Sequence, residues 1–322
     1  MPARRGRPRN RRWSCRRWPR PSGPTEAVRQ PKWPARPSVG AFVSRAGRVD
    51  ERSRIERALA DAFAGHPEGE LIRAARYATL GGGHRWRGRL ALRAGDMFRA
   101  DAADGALPLA AAVEMMHAAS LVLDDLPSMD NAATRRGKAC VHLVFPDWAV
   151  DLLPAFLVNR AYRAVADAAA APADCRARAL RLLGELGGDL AAGQEMDLAL
   201  ARKKASETEL LDCYARKSGA LFAAALAGGA LLCGADDAAA AALRAAGLRL
   251  GQAYQLLDDV ADGPEEDSAY REAGRTTAYS LFGPARARER AEALSAEAAR
   301  ELDRFGLAAD PLRALLDEMR GR

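Results

Sequence analysis

Two clusters of aspartates, about 130 residues apart, each follow an apolar run and constrain what this chain can fold into. The first lies in LVLDDLPSMD and the second in YQLLDDVAD. In the second, Gln255, Asp258, Asp259 and Asp262 stand at i, i+3, i+4 and i+7, so a helix would place them on one face. Carboxylates that share a face repel one another. The pattern therefore predicts a helix whose acidic face is neutralised by a cation.

The first cluster, Asp124, Asp125 and Asp130, meets a helix break. Pro127 disfavours helical conformation in the residue before it, which predicts that the preceding helix ends near Asp125. Carboxylates at the C-terminal end of a helix face the unfavourable end of its dipole, and a bound cation offsets that cost. Oxygen ligands without Cys or His suit Mg²⁺, which shares its coordination with substrate phosphates. We therefore expect Mg²⁺-dependent chemistry on a diphosphate.

The rest of the chain is typical of a helical protein. With 322 residues and 49% hydrophobic content it can bury a large core. From Val43 onward alanine, leucine, arginine and glutamate dominate, which predicts an all-α fold. The uncharged stretch 221–235 has only 15 residues. Because roughly 20 apolar residues are needed to cross a bilayer, we predict a buried helix and no membrane span.

The net charge of +7 divides unevenly along the chain. Residues 1–37 hold 11 Arg and one Lys against one Glu, which leaves the remaining 285 residues with a net charge of −4. This Pro-rich segment has no apolar period, so residues 1–42 are predicted to be a disordered tail or the product of a mis-assigned start. Residues 43–322 form the predicted catalytic domain. We expect no nucleic-acid partner.

Cysteine usage points to a reducing compartment. The five cysteines are odd in number and contain no CxxC pair, so neither a zinc site nor a disulfide framework is indicated. The N-terminal segment lacks the apolar core of a signal peptide. These features favour the cytoplasm.

Several motifs together resemble one family. They are EMMHAASLVLDDLPSMDNAATRRGKACVH at 114–142, GQEMDL at 193–198, YARKSGAL at 214–221, and GQAYQLLDDVAD followed by AGRTTAYSLFG. In this order they resemble the trans-type polyprenyl diphosphate synthases, and most of all the bacterial geranylgeranyl diphosphate synthases of carotenoid pathways. The resemblance implies an isoprenoid synthase helical bundle, with a central cavity lined by two Asp-rich helices, that forms a homodimer.

The resemblance also implies the ligands of three Mg²⁺ ions and the residues that bind the two substrates. Asp124, Asp130 and Asp258 would ligate the metal, supported by Asp125, Asp259 and Asp262. Arg135 and Lys217 would bind the allylic diphosphate. The residues implied for isopentenyl diphosphate are His84, Arg87, His117 and Arg136, with Arg275 as the nearest cation in the segment after the second cluster. Ser218 and Gln255 would turn oxygen dipoles toward the carbocation.

A mechanism without a protein nucleophile follows from charge. Breaking the allylic C–O bond leaves negative charge on diphosphate, which Mg²⁺, Arg and Lys stabilise. The isopentenyl double bond then attacks the allylic cation, and the departing diphosphate takes the final proton. The product would grow along the helix of His117, where Ala119 and Ser120 are small and Met116 is the first large side chain. We therefore expect geranylgeranyl diphosphate (C20).

Some features depart from the family pattern, and they leave alternative functions open. His84 stands where relatives have lysine, Gly88 where they have proline, and the lysine-bearing segment after Asp262 is replaced by a shorter acidic one. These changes motivate an alternative, a weakly active or regulatory subunit of a partner synthase. A farnesyl diphosphate synthase and a class I terpene cyclase are further alternatives, although the second acidic motif differs from the Asn/Ser/Glu metal site of such cyclases.

Overall fold

The computed structural model describes residues 50–99, 104–200, 205–272 and 276–320, and within 264–272 it describes the backbone alone. In these ranges the chain forms twelve α-helices and one two-stranded hairpin. The helices are α1 (Glu51–Asp61), α2 (Glu70–Thr79), α3 (Trp86–Asp96), α4 (Leu107–Asp124), α5 (Asp147–Ala166), α6 (Ala173–Leu200), α7 (Glu207–Tyr214), α8 (Ala220–Leu232), α9 (Asp237–Glu272), α10 (Ala278–Phe282), α11 (Pro284–Asp303) and α12 (Asp310–Arg320). The hairpin pairs β1 (Thr134–Arg135) with β2 (Lys138–Ala139). Arg275 and the predicted tail 1–42 lie outside the described residues.

The predicted all-α fold is confirmed, and its core is built on α4 and α8. All 13 residues of α8 are buried, as the uncharged run in the sequence predicts. Small residues bring the helices close together, because a Cβ on Gly229 would lie 2.4 Å from the Ala91 carbonyl oxygen on α3. Among the described helices, only α4 is long and apolar enough to cross a membrane, and 61% of it is buried inside the protein.

Both acidic clusters lie where a helix ends or bends. Helix α4 ends at Asp124, as Pro127 predicts, and Asp125 is its C-terminal cap. Helix α9 bends at Gly263, directly after Asp262, where φ is 75°. Within the described residues α4 and α9 both pack against α8 but make at most sparse contact with each other. The two acidic helices are therefore both held by α8 without close packing against each other.

The short hairpin that follows the first cluster was not predicted from the sequence. Its turn residues Arg136 and Gly137 have φ of 53° and 74°, the positive values that two-residue hairpin turns require. The Tyr77 hydroxyl donates to the Ala139 carbonyl at 2.8 Å and ties the hairpin to α2. Because the turn reverses the chain after Arg135, the two neighbouring arginines bind different partners.

Candidate active site

Lys217 lies beside the first acidic cluster. Its Nζ donates to Asp197 Oδ2 at 2.6 Å. Burial alone would lower the pKa of Lys217, but the carboxylates of Asp197, Asp124 and Asp130 outweigh burial and raise that pKa. The lysine lies in a π-helical turn, Ala215–Gly219, between α7 and α8. Such turns insert an extra residue into a helix and are frequent at functional sites.

Asp197 is a site residue that sequence reasoning missed. It belongs to the GQEMDL motif of α6, and Gly193, one turn earlier, explains its position. A Cβ at Gly193 would lie 2.3 Å from the Lys217 backbone nitrogen, so only glycine allows α6 to approach the π-helical turn this closely. The GQEMDL motif could have pointed to Asp197. However, a single acidic residue on a helix is usually just part of a solvated face.

In each cluster one aspartate turns inward. Asp125 and Asp259 are only 3% and 8% exposed, whereas Asp258 and Asp262 are exposed. Consecutive helical residues point about 100° apart, so two adjacent carboxylates cannot share one direction. Asp125 accepts a hydrogen bond from Arg135 Nη2 at 2.5 Å. The predicted acidic face is thus divided between open and buried carboxylates.

The carboxylates other than Asp125 and Asp259 fit a divalent cation. Burial raises the pKa of Asp124, and the neighbouring Asp130 and Asp197 add to this effect while Lys217 and Arg135 oppose it. A cation would relieve the cost of ionising such a group. In the described part of the chain, no three Asp, Glu, His or Cys side chains converge as a metal site. This sparse arrangement suits Mg²⁺, which takes one or two carboxylates and completes its coordination with water and substrate phosphates.

A second part of the site is cationic. Arg136 donates from Nη1 to the Gly82 carbonyl at 3.0 Å, and its Nη2 lies 3.5 Å from His117 Nε2. The Arg87 guanidinium lies over the Phe222 ring, 4.9 Å from its centroid. Burial lowers the pKa of Arg87, and Arg136 lowers it further, against the opposing charge of Glu114. Cations held this close together are a candidate site for an anion.

The glycine-rich loop before α3 places its two basic residues differently. His84 is exposed and packs against the Trp86 ring, with 5.4 Å between centroids. Arg85 is buried, with φ of 56°, and donates to the Thr79 carbonyl at 2.7 Å. Its Nη1 lies 3.5 Å from Glu114 Oε2. Sequence reasoning assigned His84 and missed Arg85, because loop geometry decides which of two adjacent side chains turns inward.

Gly88 takes part in the same network. Its N–H donates to Glu114 Oε1 at 2.9 Å. A proline at this position would have no N–H and could not make this bond. Glu114 therefore connects α4 to both Arg85 and Gly88, a positioning role that the sequence did not reveal.

The residues predicted to limit the length of the product lie along α4. Met116 and Ala119 are buried. A Cβ on Gly187 would lie 2.8 Å from Met116 Cε, so the methionine reaches across to α6. Within the described residues α4 and α6 make at most sparse contact, and Met116 bridges the gap between them. It stands eight residues before Asp124, about 12 Å along the helix axis.

The position of His117 predicts a pH effect on stability. Burial lowers its pKa well below 6.5, and Arg87, Arg136, Arg135 and Arg85 lower it further. Below pH 6.5 the unfolded chain binds more protons at this residue than the fold does, so its contribution to stability falls as pH falls toward the folded pKa. We expect His117→Gln to lose less stability than the wild type between pH 7.5 and about 5. Urea midpoints at both pH values measure this, and an equal loss in both proteins would contradict it.

The site combines an acidic part and a cationic part within one helical bundle, and comparison with known proteins identifies this class. The polyprenyl synthetase family model matches residues 68–274. The chain belongs to the polyprenyl synthetase family.

Individual relatives differ in the product their names give. A geranylgeranyl diphosphate synthase of Pantoea ananas is 36% identical over 73% of this chain and 80% of its own length. A probable farnesyl diphosphate synthase of Sinorhizobium fredii is 35% identical over 88% of this chain and 89% of its own. These relatives thus share a family and differ in the length of the product in their names.

Solved structures share the fold. A farnesyl/geranylfarnesyl diphosphate synthase from Zymomonas mobilis aligns with a TM-score of 0.74 and 31% identity, over 83% of this chain and 94% of that one. A geranyltransferase from Helicobacter pylori, complexed with magnesium and isoprenyl diphosphate, aligns with a TM-score of 0.73 and 24% identity, over 86% of this chain and 100% of that one. The predicted isoprenoid synthase bundle is confirmed.

Proposed function

We propose that this protein is a prenyltransferase that condenses isopentenyl diphosphate with an allylic diphosphate, head to tail, and makes mainly the C20 product. The observation that carries the proposal is the pairing of two unlike anion sites in one bundle. One combines open carboxylates with Lys217, and the other consists of Arg87, His117 and Arg136. A reaction that joins two diphosphates, only one of which must ionise, needs this asymmetry.

The half-buried Asp124 and the exposed Asp130, Asp258 and Asp262 would hold Mg²⁺. When bound, Mg²⁺ supplies positive charge that stabilises the departing diphosphate. Lys217 adds a cation near Asp124 and Asp130. Asp197 keeps this ammonium in place and protonated, so that it is oriented before the substrate binds. We propose that Arg135, held by Asp125, contributes in the same way.

The cationic site would hold isopentenyl diphosphate without a metal. Arg87 and Arg136 present planar guanidinium groups, which bind phosphate oxygens in a bidentate manner. Neutral His117 can donate or accept a hydrogen bond beside them. This placement keeps the isopentenyl double bond close to the allylic carbon while its own diphosphate stays intact.

The buried face of α4 supports a C20 limit, and Ala119→Tyr tests it. The side chains at 119 and 120 are small, so a product that grows along this helix would pass them before it meets Met116, and a tyrosine ring at position 119 would block its path. We expect the main product to shift from C20 toward C15 while the consumption of isopentenyl diphosphate continues. Mass spectrometry of the products measures the shift, with Ala118→Ser on the same helix as the control. An unchanged distribution of product lengths would contradict the proposed limit on this helix.

An exposed apolar face supports the proposed homodimer. Leu143, Val144, Trp148 and Leu152 are 59%, 47%, 55% and 53% exposed. Trp148 and Leu152 lie one turn apart on α5, so they form a continuous patch. Apolar patches of this kind mark association surfaces on soluble proteins.

The function is tested by incubating the full chain with Mg²⁺, isopentenyl diphosphate and, in turn, C5, C10 and C15 allylic diphosphates. We expect a C20 diphosphate as the main product, read by mass spectrometry. If the folded protein elongates none of these primers, the proposal is wrong. Co-purification with an active synthase would then favour the regulatory subunit instead.

A further inference from the structure

We propose that Asp259 sets the direction of the Ser218 hydroxyl through Gln255 and is a positioning residue, not a metal ligand. In this arrangement Ser218 presents its oxygen lone pairs, rather than its proton, to the allylic carbocation. The inference rests on the prenyl-transfer function proposed above and adds a role that the acidic motif does not reveal.

The Asp259 carboxylate sets which group donates and which accepts along a chain of hydrogen bonds. An ionised carboxylate only accepts hydrogen bonds. Gln255 Nε2 donates to Asp259 Oδ1 at 3.0 Å. The amide of Gln255 is thereby fixed, because its nitrogen must face the carboxylate and its oxygen must face the other way.

The fixed amide of Gln255 in turn orients the Ser218 hydroxyl. Gln255 Oε1 accepts a hydrogen bond from Ser218 Oγ at 2.6 Å. An amide oxygen has no proton to offer, so the serine must give its single proton to Gln255. The remaining lone pairs of Ser218 point away from this bond. Ser218 follows Lys217 in the π-helical turn, and Gln255 connects its hydroxyl to Asp259 of the second acidic cluster.

The other contacts of Asp259 leave it poorly suited to a metal. Its Oδ2 accepts hydrogen bonds from the Tyr214 hydroxyl and from the Ala278 N–H, the latter at 2.7 Å. With Gln255, three protein donors surround one carboxylate that is only 8% exposed. Asp258 and Asp262, in contrast, remain exposed on the same helix.

Asp259→Asn tests the proposal because it reverses the chain of hydrogen bonds with almost no change in shape. The Asn oxygen would keep the donors Tyr214 and Ala278, so its NH₂ group would face Gln255. Gln255 would then turn its oxygen toward residue 259 and its nitrogen toward Ser218. The Ser218 proton would be released toward the allylic carbon, where it opposes positive charge.

We expect this variant to lose about 10- to 100-fold in kcat, with unchanged KM values and an unchanged Mg²⁺ requirement. Binding of an ammonium analogue of the allylic diphosphate should weaken about 10-fold, because the ammonium carries the charge of the cation. Binding of the thiolodiphosphate analogue, whose allylic position carries no charge, should not change. If Asp259 acted only in folding, the variant would bind both analogues more weakly, and by the same factor.

Two further comparisons extend the test, and the first does not depend on the stability of Asp259→Asn. Gln255→Met breaks the connection while Asp259 keeps Tyr214 and Ala278, and it should also lower kcat without a change in Mg²⁺ requirement. In a Ser218→Ala background, Asp259→Asn should cost less than about threefold, since residues that act through one another are not additive.

Three results would overturn the inference in an enzyme whose wild type elongates primers. One is wild-type kcat in Asp259→Asn, and another is a kcat restored by excess Mg²⁺, which would make Asp259 a ligand. The third is equal loss of affinity for the ammonium and thiolodiphosphate analogues. A wild type that elongates no primer would instead overturn the proposed function.

Discussion

Asp124→Asn is expected to lower kcat by about 10³-fold or more, while the fold becomes no less stable. The carboxylate lies at the C-terminal end of α4, the unfavourable end of the helix dipole. Its pKa is raised by burial, so the folded state carries a cost for ionising it at neutral pH. Removing that charge relieves the cost, but it also removes a ligand for Mg²⁺. Activity and stability should therefore respond in opposite directions.

Asp125→Asn is the matched control, since the two residues are adjacent. It weakens the ion pair with Arg135 in a buried position, so we expect a lower melting temperature for this variant. Thermal unfolding and steady-state rates over a range of Mg²⁺ concentrations distinguish the two variants. If Asp124→Asn stays within tenfold of the wild-type kcat, the assignment of Asp124 as a ligand is wrong.

Arg87→Met is expected to raise the KM for isopentenyl diphosphate by about 100-fold with little change in stability. The guanidinium is costly to keep in the fold, because burial lowers its pKa. Its Nε, moreover, has no hydrogen-bond partner among the described residues. Methionine keeps much of the side-chain volume and the contact with Phe222. The binding of the anion is lost, while the cost of a desolvated charge disappears.

Arg89→Met provides the opposite case on the same helix. Arg89 pairs with Glu318 at 2.6 Å and with Glu51 at 3.3 Å, so its loss should lower the melting temperature and leave the KM unchanged. Kinetics with isopentenyl diphosphate varied at saturating allylic substrate measure the difference. A wild-type KM for Arg87→Met would contradict the proposed second anion site.

The sequence predicted the parts of the site that depend on periodicity and chain breaks. The end of α4 followed from Pro127, and the buried helix α8 followed from its uncharged run. The sequence could not divide the acidic motif into open and buried carboxylates. That division depends on Tyr214 and Ala278, which approach Asp259 from other helices.

Local backbone conformation explains the other features that were not predicted from the sequence. The hairpin after the first cluster has no alternating apolar pattern, and it forms because Arg136 and Gly137 adopt positive φ. Likewise, Arg85 turns inward and His84 outward because of the φ of Arg85. Such choices are set by contacts with α2 and α4, so the order of residues alone does not reveal them.

The most direct test of the central claim is to count pyrophosphate released and isopentenyl units incorporated, with Mg²⁺ and with EDTA, for the full chain and a C15 allylic primer. We predict one pyrophosphate for each isopentenyl unit with Mg²⁺ and neither product in EDTA. Pyrophosphate release without incorporation would indicate cyclisation or hydrolysis of the primer. Either that result or incorporation that survives EDTA would contradict metal-dependent prenyl transfer.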